Sequence, residues 1–181
     1  MRRRELLAAF SLSPLAANAG AVLQVGPRRA VKSLAAAARQ ARDGMLVEVD
    51  AGDYVADVAT WPQQDLTLRA IGGRVRVIAA GAHAQGKGLF VTTGWRQRIE
   101  GFDFIGAVVP DRNGAGIRLE SGSLTLLDCG FRDNENGLLT SNDESVELDI
   151  IDCDFGAIAL RSGLTHNLYV GAIKRLAVTG S

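Results

Sequence analysis

The sequence predicts an all-β chain wound into a solenoid of stacked coils, and three observations carry that prediction. One short phrase occurs twice: Leu124-Thr125-Leu126-Leu127-Asp128-Cys129-Gly130-Phe131 returns 24 residues later as Leu148-Asp149-Ile150-Ile151-Asp152-Cys153-Asp154-Phe155. A fixed period of roughly 20–50 residues marks a stacked repeat rather than a single wound core. Its slots recur upstream at Ile99, Phe102 and Phe104 and downstream at Leu176, Val178 and Ser181. A second ladder, Gly88-Leu89-Phe90-Val91, Gly116-Ile117-Arg118-Leu119, Gly137-Leu138-Leu139-Thr140 and Asn167-Leu168-Tyr169-Val170, repeats at spacings of 28, 21 and 30. Finally, 21 glycines and only 6% aromatics favour tight turns and small interior slots over a helical bundle. Spacings that vary around a constant strand pattern suit coils whose loops differ.

In chain order, residues 1–19 read as a signal segment. Arg2-Arg3-Arg4 gives a basic start, Leu6 to Ala17 a modest apolar run, and Ala17-Asn18-Ala19 an A-x-A cleavage site before Gly20. The run is far shorter than the roughly 20 residues that span a bilayer, and no membrane span is expected elsewhere. Arg3-Arg4-Glu5-Leu6-Leu7 resembles a twin-arginine export signal, although Glu5 departs from it. The expected location is therefore periplasmic or secreted, with residues 20–181 as one mature domain. Removing the segment leaves 17 basic and 19 acidic residues. Without a basic excess, nucleic acid is not an expected partner.

Val31 to Asp43 is the helical candidate, with Ser33 as N-cap and Gly44 as stop. Leu34, Ala37, Ala38 and Ala41 form a narrow apolar stripe, enough to cover a coil but not to make a core. Strands follow at Leu46 to Val49, Leu66 to Arg69, Val75 to Ile78 and Leu89 to Thr92, with Ala51-Gly52-Asp53-Tyr54 read as a turn. Gly81-Ala82-His83-Ala84-Gln85-Gly86-Lys87 matches a phosphate-loop pattern. However, Gly88 stands where a Ser or Thr would bind magnesium, and a strand rather than a helix follows, so this is a loop.

In the second ladder, side-chain alternation sends Leu89, Ile117, Leu138 and Leu168 inward, with Val91, Leu119, Thr140 and Val170 behind them. Phe90, Arg118, Leu139 and Tyr169 then face outward. Leu126 and Cys129 both belong inside but lie three apart, so a bend or bulge must separate them. Coils of this kind, run in one direction, make a parallel β-helix of about five coils, whose open edges need covers. The Ala-rich helix sits where the first cover belongs. At the other end the last coil is incomplete, and its edge is expected either to be shortened relative to its kind or to contact a partner.

The helix, Gly44, the following strand and Ala51-Gly52-Asp53-Tyr54 resemble the entry of the right-handed parallel β-helix proteins of the pectate-lyase-like superfamily. The L-x-L/I-x-x-C-x-F coils and Thr165 to Val170 resemble exported bacterial members of it. Met45-Leu46 and Ala51 depart from the entry pattern. The resemblance implies the right-handed fold with an N-terminal capping helix over residues 22–181. Because that superfamily includes lyases, hydrolases, epimerases and proteins of no known reaction, it implies little about activity.

Three constellations bear on chemistry. Cys129 and Cys153 occupy equivalent slots about 4.8 Å apart, within disulfide range. Such slots are also filled by free thiols, and two buried thiols are expected. Asp128 and Asp152 stack, as do Asp103 and Asp154 around Gly130. A calcium ion could relieve their repulsion, and the resemblance points the same way, but two or three carboxylates do not make a shell of about 6–8 ligands. Hydrogen bonds to turn backbone are the preferred reading. Lastly, His166, Asn167 and Tyr169 lie near Arg161, Lys174 and Arg175, with Arg118 on the same outward face as Tyr169. Ring faces and cations suit an acidic sugar chain. In an eliminating lyase, Tyr169, His166 or Lys174 would take the proton alpha to a carboxylate, and Arg118 or Arg161 would stabilise the developing charge, with Asn167 binding substrate. Two function classes follow: an exported lyase-like protein acting on uronic-acid polymers, or a non-catalytic carbohydrate-binding or surface-structural β-helix.

Overall fold

The computed structural model describes residues 21–156 and 165–181. They form a parallel β-solenoid of about six turns with one short helix, close to the coil count expected. The smaller sheet stacks five strands: β3 (Ala59–Trp61), β5 (Gly88–Thr92), β8 (Ala115–Leu119), β11 (Asn136–Thr140) and β14 (His166–Tyr169). The ten-stranded sheet is folded into two panels. Two long strands, β2 (Leu46–Val55) and β4 (Thr67–Ile78), run through both. Beyond them the first panel continues with β6 (Gln97–Glu100), β9 (Ser123–Leu127), β12 (Asp143–Ile151) and β15 (Ile173–Thr179). The second continues with β7 (Phe102–Ile105), β10 (Gly130–Arg132) and β13 (Asp154–Phe155), while β1 (Val22–Val25) pairs with β2.

The bend between Leu126 and Cys129 is one residue deep. Gly101 (φ 77°), Asp128 (φ 51°), Asp152 (φ 51°) and Gly180 (φ 68°) stack in one column, all left-handed. A single reversed residue breaks the two-residue alternation, so Leu126 and Cys129 both face inward. Asp tolerates that conformation better than most side chains. The register expected for the first motif holds: Ile99 pairs with Leu126, Leu126 with Ile150, Ile150 with Val178, and Phe104 with Phe131 and Phe131 with Phe155.

Stacked phenylalanines organise the interior. Ring centroids of Phe104 and Phe131 lie 5.3 Å apart, and those of Phe131 and Phe155 4.8 Å apart, the planes tilted by only 17° and 7°. Such offset stacks add about 0.5–1.5 kcal/mol per pair to the area they bury. Glycine in the neighbouring strands leaves the necessary room: a Cβ at Gly116 would stand 2.9 Å from both Phe104 Cβ and Phe131 Cδ1.

Three expectations are corrected. Phe90 is an interior residue, fully buried against Trp61 and Phe104. The register pairs Gly88 with Ala115 and Phe90 with Ile117, one residue from the glycine-to-glycine alignment, so Val91 takes the outward slot and Leu89 leaves the inward one. Ala51 to Tyr54 is not a turn but the kinked second half of β2, where Tyr54 is buried and its hydroxyl donates to Asp50 O at 2.9 Å. The helix α1 (Leu34–Gln40) is shorter than its periodicity suggested. Its amides explain why it starts there. Ser33 Oγ accepts from Ala36 N at 3.1 Å, and Asp57 accepts from Leu34 N and Ala35 N at 2.6 and 2.9 Å. Leu34 and Ala37 seal the first coil by packing toward β3, as a cap should.

Candidate functional site

The outer face of the five-stranded sheet carries one column of side chains: Thr60, Val91, Arg118, Leu139 and Tyr169. Arg118, Leu139 and Tyr169 are neighbours on successive coils, as the spacing predicted. Their backbones are fixed by parallel pairing on both sides, except at Tyr169. Leu139 is 9% exposed and Tyr169 47%, so the ring is the part of the column most open to a ligand. The His166 ring lies 5.5 Å from it, tilted by 35°. His166 is held at its amide, which donates to Asn136 Oδ1 at 3.1 Å, leaving its side chain exposed. Asn167 is also exposed, its Nδ2 donating at 3.5 Å to Phe155 O.

Arg118 is not an isolated cation. Its Nε lies 2.7 Å from Glu120 Oε1, close enough for an ion pair but not aligned as a hydrogen bond. Lys87 Nζ approaches the other oxygen of Glu120 at 3.0 Å. One carboxylate thus stands between two cations, and this cluster of Lys87, Arg118 and Glu120 carries a net positive charge. Nothing in the ladder motif signals Glu120, which directly follows the last residue of β8. Lys87 belongs to the phosphate-loop look-alike, which is a loop leading into β5, as expected. Within it, Gln85 Nε2 reaches Thr60 Oγ1 at 3.1 Å, bringing the loop onto the same outer face.

The remaining candidates separate. Lys174 lies on β15, in the other sheet, with its Nζ 2.6 Å from Glu147 Oε1. That hydrogen bond holds the Glu147 carboxyl below its ordinary range. Arg175 is paired in turn with Asp149 at 2.6 Å. Arg161 lies outside the described residues.

Three of the stacked aspartates, Asp103, Asp128 and Asp154, have arginine partners. Arg74 reaches Asp103 at 2.5 Å and Asp128 at 2.7 Å, and its Nη1 also donates to the Asp128 carbonyl at 2.7 Å. The Asp103 hydrogen bond is the main reason its guanidinium is pushed further toward the protonated form. Arg132 pairs with Asp154 at 2.5 Å. Among the described residues, no group of three or more His, Cys, Asp or Glu is arranged to hold a metal ion.

Another feature invisible in the sequence is a run of buried polar residues, Asn134, Glu135 and Asn136. Glu135 Oε2 accepts from Val109 N at 3.1 Å and Gly114 N at 2.8 Å, pinning the loop between β7 and β8. Asn134 adds bonds to Ala107 N and Phe104 O. These groups satisfy backbone in place of a ladder, which is a structural duty. Two clefts of about 470 Å³ flank Pro27 and Ala51 in the first coil, at the opposite end of the stack from Tyr169.

Comparison with protein-family models, with curated proteins and with solved structures returns no match. No described helix is long and apolar enough to cross a membrane. What the chain does must therefore be argued from the solenoid and from this face.

Proposed function

We propose that the chain is an exported β-solenoid, akin to the pectate-lyase-like superfamily, that binds extracellular polysaccharide along the outer face of its five-stranded sheet. The observation that carries the reading is the exposed Tyr169 ring beside His166, mounted on a parallel sheet with Arg118 two strands away. At about 4.8 Å per strand, Tyr169 and Arg118 are spaced about 10 Å apart along the stack. A ring face can stack on a sugar, while a guanidinium beyond it meets a uronic-acid carboxylate. His166 and Asn167 supply hydrogen-bonding groups at the ring's edge. Export rests on the basic and apolar pattern of residues 1–19.

Elimination is the second reading. Tyr169 or His166 would take the proton alpha to the carboxylate while Arg118 stabilises the charge that develops. The shared face of Arg118 and Tyr169 favours it. The engagement of Lys174 by Glu147 on the other sheet weighs against the lysine as base.

The test is affinity for a panel of acidic and neutral polysaccharides, with ultraviolet absorbance of unsaturated products measured in the same incubations. Tyr169→Ala should weaken binding by about 1–3 kcal/mol, taking base–aromatic stacking as the nearest analogue. Thermal stability should hold, since an exposed ring leaves no cavity when removed. Unchanged affinity, or a midpoint lowered by tens of degrees, would make the face structural.

A further inference from the structure

The slot series Phe102, Cys129, Cys153 and Ser181 runs through four successive coils. Its two middle members are thiols, fully or nearly fully buried. They are in register: Gly130 pairs with Asp154, and Asp154 N donates to Cys129 O at 2.8 Å. In-register parallel neighbours stand about 4.8 Å apart at Cα, inside the roughly 4.4–6.8 Å that a disulfide spans. The Cys129 Sγ lies 3.5 Å from Ile99 O of the preceding coil. Each Sγ additionally contacts a carbonyl of its own strand, Leu127 O at 3.5 Å and Ile151 O at 3.3 Å, which fixes the side-chain directions.

We propose that Cys129 and Cys153 form a dithiol site that a small-molecule disulfide converts to an intramolecular cross-link between adjacent coils. The Cys153 thiolate attacks one sulfur of the oxidant, here oxidised glutathione, forming a mixed disulfide and expelling one glutathione thiolate. The Cys129 thiolate then attacks the Cys153 sulfur and expels the second. Two protein thiols are oxidised, one disulfide is reduced, and the two protons end on the two glutathione molecules.

Cys153 is the entry sulfur on geometric grounds. It is the more accessible of the two, and among the described residues the coil of β15 stacks on it, where Ser181 Oγ accepts from Cys153 N at 2.9 Å. In that coil Leu176 is 43% and Val178 48% exposed. The hydrogen bond from Cys129 favours the Cys153 thiolate, drawing its pKa down to about 7, whereas burial pushes Cys129 up. The cross-link would close the stretch between the two cysteines, which carries Leu139, and so would tie together the coils beneath the Tyr169 face.

The experiment takes the full chain, reduced and purified, and equilibrates it with defined ratios of reduced and oxidised glutathione, with and without denaturing urea. Thiols are then blocked by alkylation and the intact mass is read. The expected product is a monomer lighter by about 2 Da, with both cysteines refractory to alkylation. Because a preformed pair favours closure, the folded chain should form it at an equilibrium constant roughly a hundredfold above the chain in urea, by loop-entropy reasoning. Its thermal midpoint should rise by roughly 5–10 °C and fall back on reduction. Cys129→Ser and Cys153→Ser should each abolish both changes. A glutathione adduct that never closes, a cross-link between two chains, or equal constants with and without urea would overturn the proposal.

Discussion

Six residues occupy one interior column of the first panel: Val47, Leu68, Ile99, Leu126, Ile150 and Val178. The first five are at most 1% exposed; Val178 is 48% exposed. The sequence slot is the same and the side chains are of similar size, so the difference lies in what stands above and below. At the N-terminal end, α1 and β1 close the stack, with Asp57 and Ser33 tying down the helix. In the last described coil, no described element stacks beyond β15. Burial in this solenoid is therefore a property of neighbouring coils, not of the residue alone. Truncation to alanine should therefore cost far more in the middle of the column than at Val178.

The largest expected effect is in the middle of the column. Ile99→Ala removes a fully buried aliphatic side chain whose neighbours are held by parallel pairing on both sides, so the site has little freedom to collapse. The cost should be about 2–5 kcal/mol in denaturant unfolding. A value below about 1 kcal/mol would mean that the coils slide to refill the slot, and the column would not be a rigid unit.

This column was readable in the sequence because Leu126, Ile150 and Val178 recur within a motif whose Cys and Phe positions repeat as well. Three coincident markers fix a register. The five-stranded sheet was readable only in part. Arg118, Leu139 and Tyr169 were aligned correctly, since each follows an apolar residue at the same place in its motif, Ile117, Leu138 and Leu168. At Gly88 to Val91 the match rested on a glycine, and Leu89, Phe90 and Val91 are all apolar, so alternation carried no information about which one faces in. The interior ring cluster of Trp61, Phe90 and Phe104 decides it, and nothing local to the strand reports that cluster. The kinked strands β2 and β4 were hidden for a related reason. Their bends hold extra residues, Gly72 and Gly73 among them, and so break the period. On the candidate face, Glu120 could not be foreseen as the partner of both Arg118 and Lys87. Its role depends on residues brought together from adjacent coils.

A middle-sized effect should mark the N-terminal cover. Asp57→Ala removes the acceptor of two helix amides, at Leu34 and Ala35, while Ser33 still serves Ala36. Loss of a cap of this kind costs about 0.5–2 kcal/mol. Asp57→Asn, which keeps one oxygen, should fall between the variant and the parent. Hydrogen exchange provides the sharper measurement: protection should drop first in α1 and β3 and last in β9 to β12. Uniform loss along the stack would mean that the cap and the distant coils unfold as one unit, and the contrast between the two ends would be thermodynamically silent.

The smallest effect should come from the exposed end of the same column. Val178→Ala deletes two methyl groups from a side chain already half in water, so little area is lost and no closed cavity forms. Surface changes of this sort stay within about 0.5 kcal/mol. Leu176→Ala, one slot away and 43% exposed, should behave alike. Paired with Ile99→Ala, these variants measure how much of the column's stability comes from a coil having a neighbour on both sides. Denaturant midpoints should be taken at two protein concentrations differing by about a hundredfold, because a partner that covers this edge adds stability by mass action. If Val178→Ala costs as much as Ile99→Ala and the cost grows with concentration, the slot is filled in solution by another copy of the chain. If it costs as much at every concentration, the last coil is covered from within. Either result would erase the difference between the two positions, whereas a near-zero, concentration-independent change keeps the contrast between the middle of the column and its β15 slot.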